Sequence, residues 1–155
     1  MEKRRPKLGL FVSDPRIRLS LVQDLSAAYR IEIVSPGQGP VKAFRKHRPV
    51  AVLLCANPRE LGRMGDKARA LKTEQRPPIV GLIALAGLPP DPERYLQAHL
   101  LDSLTSLPES PEVLLGWVED LLAGRGSVVG KPAPGNRLRH VFRRISGFRA
   151  SSEDE

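Results

Sequence analysis

This 155-residue chain has a single cysteine, Cys55, so an internal disulfide is excluded and a reducing compartment such as the cytoplasm is expected. Aromatic residues make up only 5% of it, with one tryptophan, two tyrosines and four phenylalanines. Its three histidines, His47, His99 and His140, lie on separate segments without ligand spacing, so no metal site and no cofactor is expected. The longest apolar run, Ile79 to Leu88, falls short of the roughly 20 residues that cross a bilayer. The basic opening, Met1 to Lys7, leads into a run too short for a secretory signal, and none is expected. Glycine-rich Gly37 to Pro40 lacks the spacing and lysine of a phosphate loop and reads as a turn. Acidic residues are outnumbered, 17 against 25 lysines and arginines, for a net charge of +8. Such an excess points toward nucleic acid, anionic membrane or acidic protein surfaces.

What the chain has is a hydrophobic fraction of 41%, enough for a core, arranged in five alternations of strand-like and helix-like segments. The strand-like runs are Leu8 to Ser13, Ile31 to Ser35, Val50 to Ala56, Ile79 to Leu85 and Leu101 to Leu107. Runs apolar on both faces, such as Val50 to Leu54, suit parallel strands covered by helices on each side. Between them, Asp14-Pro15, Asn57-Pro58, Asp91-Pro92 and Ser110-Pro111 each set a capping side chain before a proline at a helix start. Apolar residues then recur at helical spacing: Ile17, Leu21, Val22, Leu25 and Ala28 in the first helix, and Leu61, Met64, Ala68 and Leu71 in the third. In the fifth they are Leu114, Val118, Leu121 and Leu122, closed by Gly124. The second helix falls at Pro40 to His47 and the fourth at about Pro92 to His99. The expected fold is α/β and flavodoxin-like: a five-stranded parallel sheet with helices on both faces over 7–124, its site outside the carboxyl ends of the strands.

Residues 125–135, rich in Gly, Pro and Ser, read as a linker. Residues 136–155 form a tail in which Leu138, Val141, Phe142, Ile145 and Phe148 recur every three or four positions, with Arg137, Arg139, Arg143 and Arg144 largely elsewhere on the wheel. That pattern predicts a basic amphipathic helix capped by Asn136, followed by an acidic end. Such a helix can pack back on the domain, dock on a partner, or meet nucleic acid or an anionic membrane.

The stretch Leu8 to Arg18 (LGLFVSDPRIR) resembles the opening of a bacterial response-regulator receiver. Arg48 to Leu54 (RPVAVLL) and Pro77 to Ala84 (PPIVGLIA) resemble that family's third and fourth strands. Members of the family hold Mg²⁺ with acidic residues after the first strand and accept a phosphoryl group on an aspartate ending the third. They complete the site with a hydroxyl after the fourth strand and a lysine after the fifth. Magnesium wants several hard oxygen ligands, and phosphoryl transfer wants positive charge around the moving oxygens. Here the acidic pair falls on Val12 and Ser13, or on Ser13 and Asp14 with a one-residue shift. The phosphoacceptor falls on Cys55, the hydroxyl on Ile83, and the lysine on Ser106 or Leu107. Asp14, followed by proline, reads as a helix cap, and no neighbouring base marks Cys55 as a nucleophile.

The resemblance therefore implies a degenerate pseudo-receiver, not an enzyme, acting in the cytoplasm as a protein–protein interaction adaptor in bacterial signalling or localisation, outside the phosphotransfer step of two-component systems. Its partner is another protein, and a homodimer is compatible with it. Family precedent places the partner-binding face on the fourth and fifth helices and strands, here Tyr95, Leu96, Leu107 and Trp117, with core packing as the alternative for Trp117. The alternative is a nucleic-acid-associated regulator gripping phosphates with its tail.

Overall fold

The structure is a computed structural model, and it describes residues 5–35 and 37–134. Five strands and five helices alternate along the chain. They are β1 (Lys7–Phe11), α1 (Pro15–Leu25), β2 (Arg30–Ile33), α2 (Pro40–His47), β3 (Ala51–Ala56), α3 (Leu61–Lys72), β4 (Ile79–Ala84), α4 (Pro92–Ala98), β5 (Ser103–Ser106) and α5 (Pro111–Leu122). A short 3₁₀ turn, Pro58–Glu60, leads into α3, and a sixth strand, β6 (Val128–Val129), follows α5. All strand pairs are parallel, in the order β2-β1-β3-β4-β5-β6. This is the flavodoxin-like arrangement, with the strand order reversing at β1 and β3.

The expected caps are in place. Asp14 accepts a hydrogen bond from the Arg16 amide at 2.8 Å, Ser110 from Val113 at 3.2 Å, and Asp91 from Arg94 at 3.3 Å. Asn57 accepts from both Arg59 and Glu60. Each relieves an amide that the first helical turn leaves without a partner, while the proline beside it has none to lose.

Two apolar layers sandwich the sheet. On one face Phe11, Val52, Leu54, Val80, Leu82 and Leu104 pack against Phe44 of α2, Met64, Ala68 and Leu71 of α3, and the partly buried Tyr95 and Leu96 of α4. On the other, Leu8, Leu10, Val12, Leu53, Cys55 and Ile83 meet Leu21 and Leu25 of α1 and Leu114, Trp117, Val118 and Leu121 of α5. Strand β3 is buried along its whole length, as its uniformly apolar sequence requires of a central parallel strand.

The sixth strand corrects the reading of residues 125–135 as a linker. The Leu104 amide donates to Ser127 O at 3.0 Å, and Lys131 N donates to Ser106 Oγ at 3.0 Å. Beyond them Leu88 N donates to Lys131 O at 2.9 Å and Ala133 N to Leu88 O at 3.2 Å. The glycines that suggested looseness permit close approach instead. A Cβ on Gly126 would stand 1.9 Å from Asp102 O, and one on Gly130, at φ 113°, would stand 2.1 Å from Ser106 Oγ. Residues 125–134 thus form a strap along the edge of β5.

Candidate functional site at the carboxyl rim of the sheet

In a doubly wound sheet the chemistry belongs where the strands end. Of the degenerate positions, Cys55 and Ile83 are opposite each other in the β3–β4 register and lie in the layer covered by α1 and α5. Both are buried beneath the rim. Burial, and secondarily the Glu60 carboxylate, pushes the Cys55 thiol up to about 12. At neutral pH it is a protonated, inaccessible thiol, neither nucleophile nor hard-ion ligand.

Ser13 and Asp14 are exposed and serve local structure. Asp14 is spent on the α1 cap. Ser13 Oγ donates to Glu60 Oε2 at 3.0 Å, and Asn57 N donates to Glu60 Oε1 at 3.0 Å. Arg63 Nη2 stands 3.7 Å from Oε2 of the same carboxylate. Glu60 is buried, and it is the rim residue missed from the sequence, although the spacing of Asn57 and Glu60 is that of a capping box. Lys67 Nζ lies 5.9 Å from the Phe11 ring centroid. Ser106 stands apart from this cluster, its hydroxyl accepting the Lys131 amide of the strap.

This donor set does not fit Mg²⁺. The positions that should offer oxygen hold Val12 or the capping Asp14 beside Ser13, a buried thiol and Ile83, and both oxygens of the Glu60 carboxylate already serve protein groups. Among the described residues no group of three or more His, Cys, Asp or Glu is arranged to hold a metal.

A titration follows from the buried protons. The Cys55 thiol is raised from 9.0, and desolvation, aided by Asp66, raises Tyr95 from 10.0 to about 12. The folded state keeps protons that the unfolded chain releases, so stability is full below about pH 9 and declines as pH climbs toward about 12. Urea unfolding at about pH 8 and about pH 11 should show this loss, and Cys55→Ala should make it shallower. Native Cys55 should resist iodoacetamide at neutral pH and react only on unfolding; rapid native labelling would contradict its burial.

The proposed partner face is also rearranged. Trp117 is not exposed: the residue is 6% accessible, and Nε1 donates to Ser103 Oγ at 2.8 Å. Tyr95 is half-buried, its hydroxyl donating to Leu61 O and its ring 4.5 Å from that of His99. Leu96 packs on the core, and of the four residues only Leu107 is exposed. Together Tyr95, Leu96 and Trp117 bind the fold to itself, because each sits on the inward stripe of its helix. The tail residues Arg137, Arg139, Phe142, Arg143, Arg144 and Phe148 lie outside the described residues. Among the described residues no helix is long and apolar enough to cross a membrane.

No known family's sequence profile matches the chain, and no curated protein does. Solved structures do. The chemotaxis response regulator CheY4 of Vibrio cholerae superposes with a TM-score of 0.63 at 17% identity, over 76% of this chain and 98% of that one. The pseudo-receiver domain of the CikA protein gives 0.53 at 18% identity, over 75% and 96%. The response regulator DrrB of Thermotoga maritima, an OmpR/PhoB homologue, gives 0.60 at 19% identity, and the match covers 79% of this chain but about half, 54%, of that one. The fold is therefore that of a CheY-like receiver.

Proposed function

We propose that the chain is a pseudo-receiver: a cytoplasmic signalling module that keeps the receiver fold, takes no phosphoryl group and carries no enzymatic activity, acting as a protein–protein adaptor. One observation carries the reading. The position where the family's acceptor carboxylate belongs is held by Cys55, buried, protonated and facing the α1/α5 layer. Around it, Ile83 supplies no hydroxyl and Ser106 no cation, so an incoming phosphoryl group would meet neither a nucleophile nor the charge that stabilises its transfer. The CikA domain, described as a pseudo-receiver, shares this fold and supports the reading.

The test is incubation with acetyl phosphate and Mg²⁺, followed by intact mass measurement, in parallel with beryllofluoride titration monitored by amide chemical shifts. The mass should stay unmodified and the rim amides unmoved. Stoichiometric phosphorylation, or saturable magnesium-dependent beryllofluoride binding at Ser13, Cys55 or Glu60, overturns the proposal.

A further inference from the structure

Beside the rim, between the β4–α4 turn, the end of β5 and the strap, lies an open cleft of about 380 Å³. Its walls include Leu107, Val113, Val129, Pro132 and Pro134, with Glu109 at the edge. Leu107, Val113 and Val129 are 38%, 51% and 43% exposed, so large aliphatic side chains converge here on water. Exposed apolar surface of this kind marks a contact site.

Where the chain leaves the described residues identifies the occupant. Pro134, itself a wall of the cleft, is the last of them, and it runs within two residues into Asn136 to Arg149. The apolar residues there, Leu138, Val141 and Phe142, come first along the chain and recur at three- and four-residue spacing. The cleft is near the small end of the roughly 300–1,000 Å³ typical of ligand sites, so it accommodates a few side chains rather than a folded partner. Tethering by so short a connection holds those side chains at an effective concentration on the order of millimolar, which lets a weak apolar contact saturate in cis. Charge agrees with this. Glu109 and Glu112 stand exposed at the start of α5, and the entering segment carries Arg137 and Arg139. Glu109 is bonded to Lys131 at 2.8 Å, but both groups are largely exposed, and such a pair exchanges partners at little cost.

We propose that the cleft formed by β5, the β4–α4 turn and the strap receives the chain's own residues 138–142. This contact does not depend on whether the rim accepts phosphate. The second copy's tail and a separate partner are the competing occupants.

The full-length chain carrying Val113→Cys and Phe142→Cys tests it, under mild oxidation by oxidised glutathione at high dilution. Buried Cys55 stays inert as an internal control. The expected result is an intramolecular disulfide in monomeric protein, formed at least about tenfold faster than in the same protein with Leu138→Ser, Val141→Ser and Ile145→Ser, a tail of equal length and tether that lacks these three apolar residues. Equal rates in the two proteins overturn the proposal, as do failure to close and disulfide-linked dimers in place of closed monomer. The Ser variants change no described residue, so unfolding does not confuse the comparison.

Discussion

Trp117→Ala should destabilise the domain by about 3–5 kcal/mol, the range for removing a buried large aromatic, and lower the melting temperature by on the order of 10 °C or more. The indole packs against Gly81: a Cβ on that glycine would stand 2.7 Å from Trp117 Cη2 and 2.9 Å from a Leu121 methyl. The ring therefore fills the space that the missing Gly81 side chain leaves on the α5 face of the sheet, and its Nε1 bond to Ser103 fixes the pose. Alanine empties that space, and the backbone of β4 cannot move out to refill it. In a domain whose total stability is about 5–15 kcal/mol, the loss is visible in any denaturation curve. Gly81→Ala alone overpacks the same contact and should cost about 1–3 kcal/mol, yet much less in the Trp117→Ala background, where its methyl enters the vacated volume. Additive losses from the two substitutions would mean that the ring and the glycine do not share one space. A charge at position 117 would unfold the domain rather than report on a docking surface.

Position 117 also shows what the sequence can and cannot convey. Trp117 lies three residues after Leu114 and four before Leu121, so the helical stripe of α5 assigns it to the buried face. A docking anchor and core packing are both open to Trp117 from family precedent, and the spacing along α5 favours the core because it follows from the geometry of this helix. The caps were legible for the same reason. Asp14, Asn57, Asp91 and Ser110 act on amides two or three residues away, so their chemistry is complete within a short stretch of sequence.

What escaped was non-local. Glu60 was half readable, since its capping-box bond to Asn57 is local, whereas its link to Ser13 joins residues 47 apart through the meeting of β1 with β3. Cys55 shares the α1/α5 layer with Leu53 and Ile83, and that side could not be read from β3, where every residue is apolar. The strap was invisible because glycine and proline carry two opposite meanings. A linker uses them for freedom or extension, while a packed strand uses glycine where no Cβ fits. Nothing within residues 125–135 distinguishes these cases; the deciding atoms are Asp102 O and Ser106 Oγ, on β5 and just before it.

That distinction gives the second large effect. Gly126→Ala and Gly130→Ala should each detach the strap while leaving the five-stranded core folded. At Gly126 the new methyl would meet a backbone carbonyl 1.9 Å away, which cannot turn aside without breaking β5. At Gly130 it would meet Ser106 Oγ, and an L side chain at φ 113° adds backbone strain. In either variant the penalty comes to roughly 3 kcal/mol, about a hundredfold in the equilibrium between seated and released strap. Amide exchange reads it directly: Leu104, bonded to Ser127 O, and Ala133, bonded to Leu88 O, should lose protection on that scale, while the β3 and β4 amides of the central sheet hold theirs. Retained protection at Leu104 in Gly126→Ala would show that β6 does not need the close approach. Release of the strap also removes Val129, Pro132 and Pro134 from the cleft wall, so in the Val113→Cys, Phe142→Cys protein either substitution should slow disulfide closure to the rate of the serine-substituted tail. The glycines that resembled slack in the sequence are then what holds both the edge of the sheet and the cleft beside it in place.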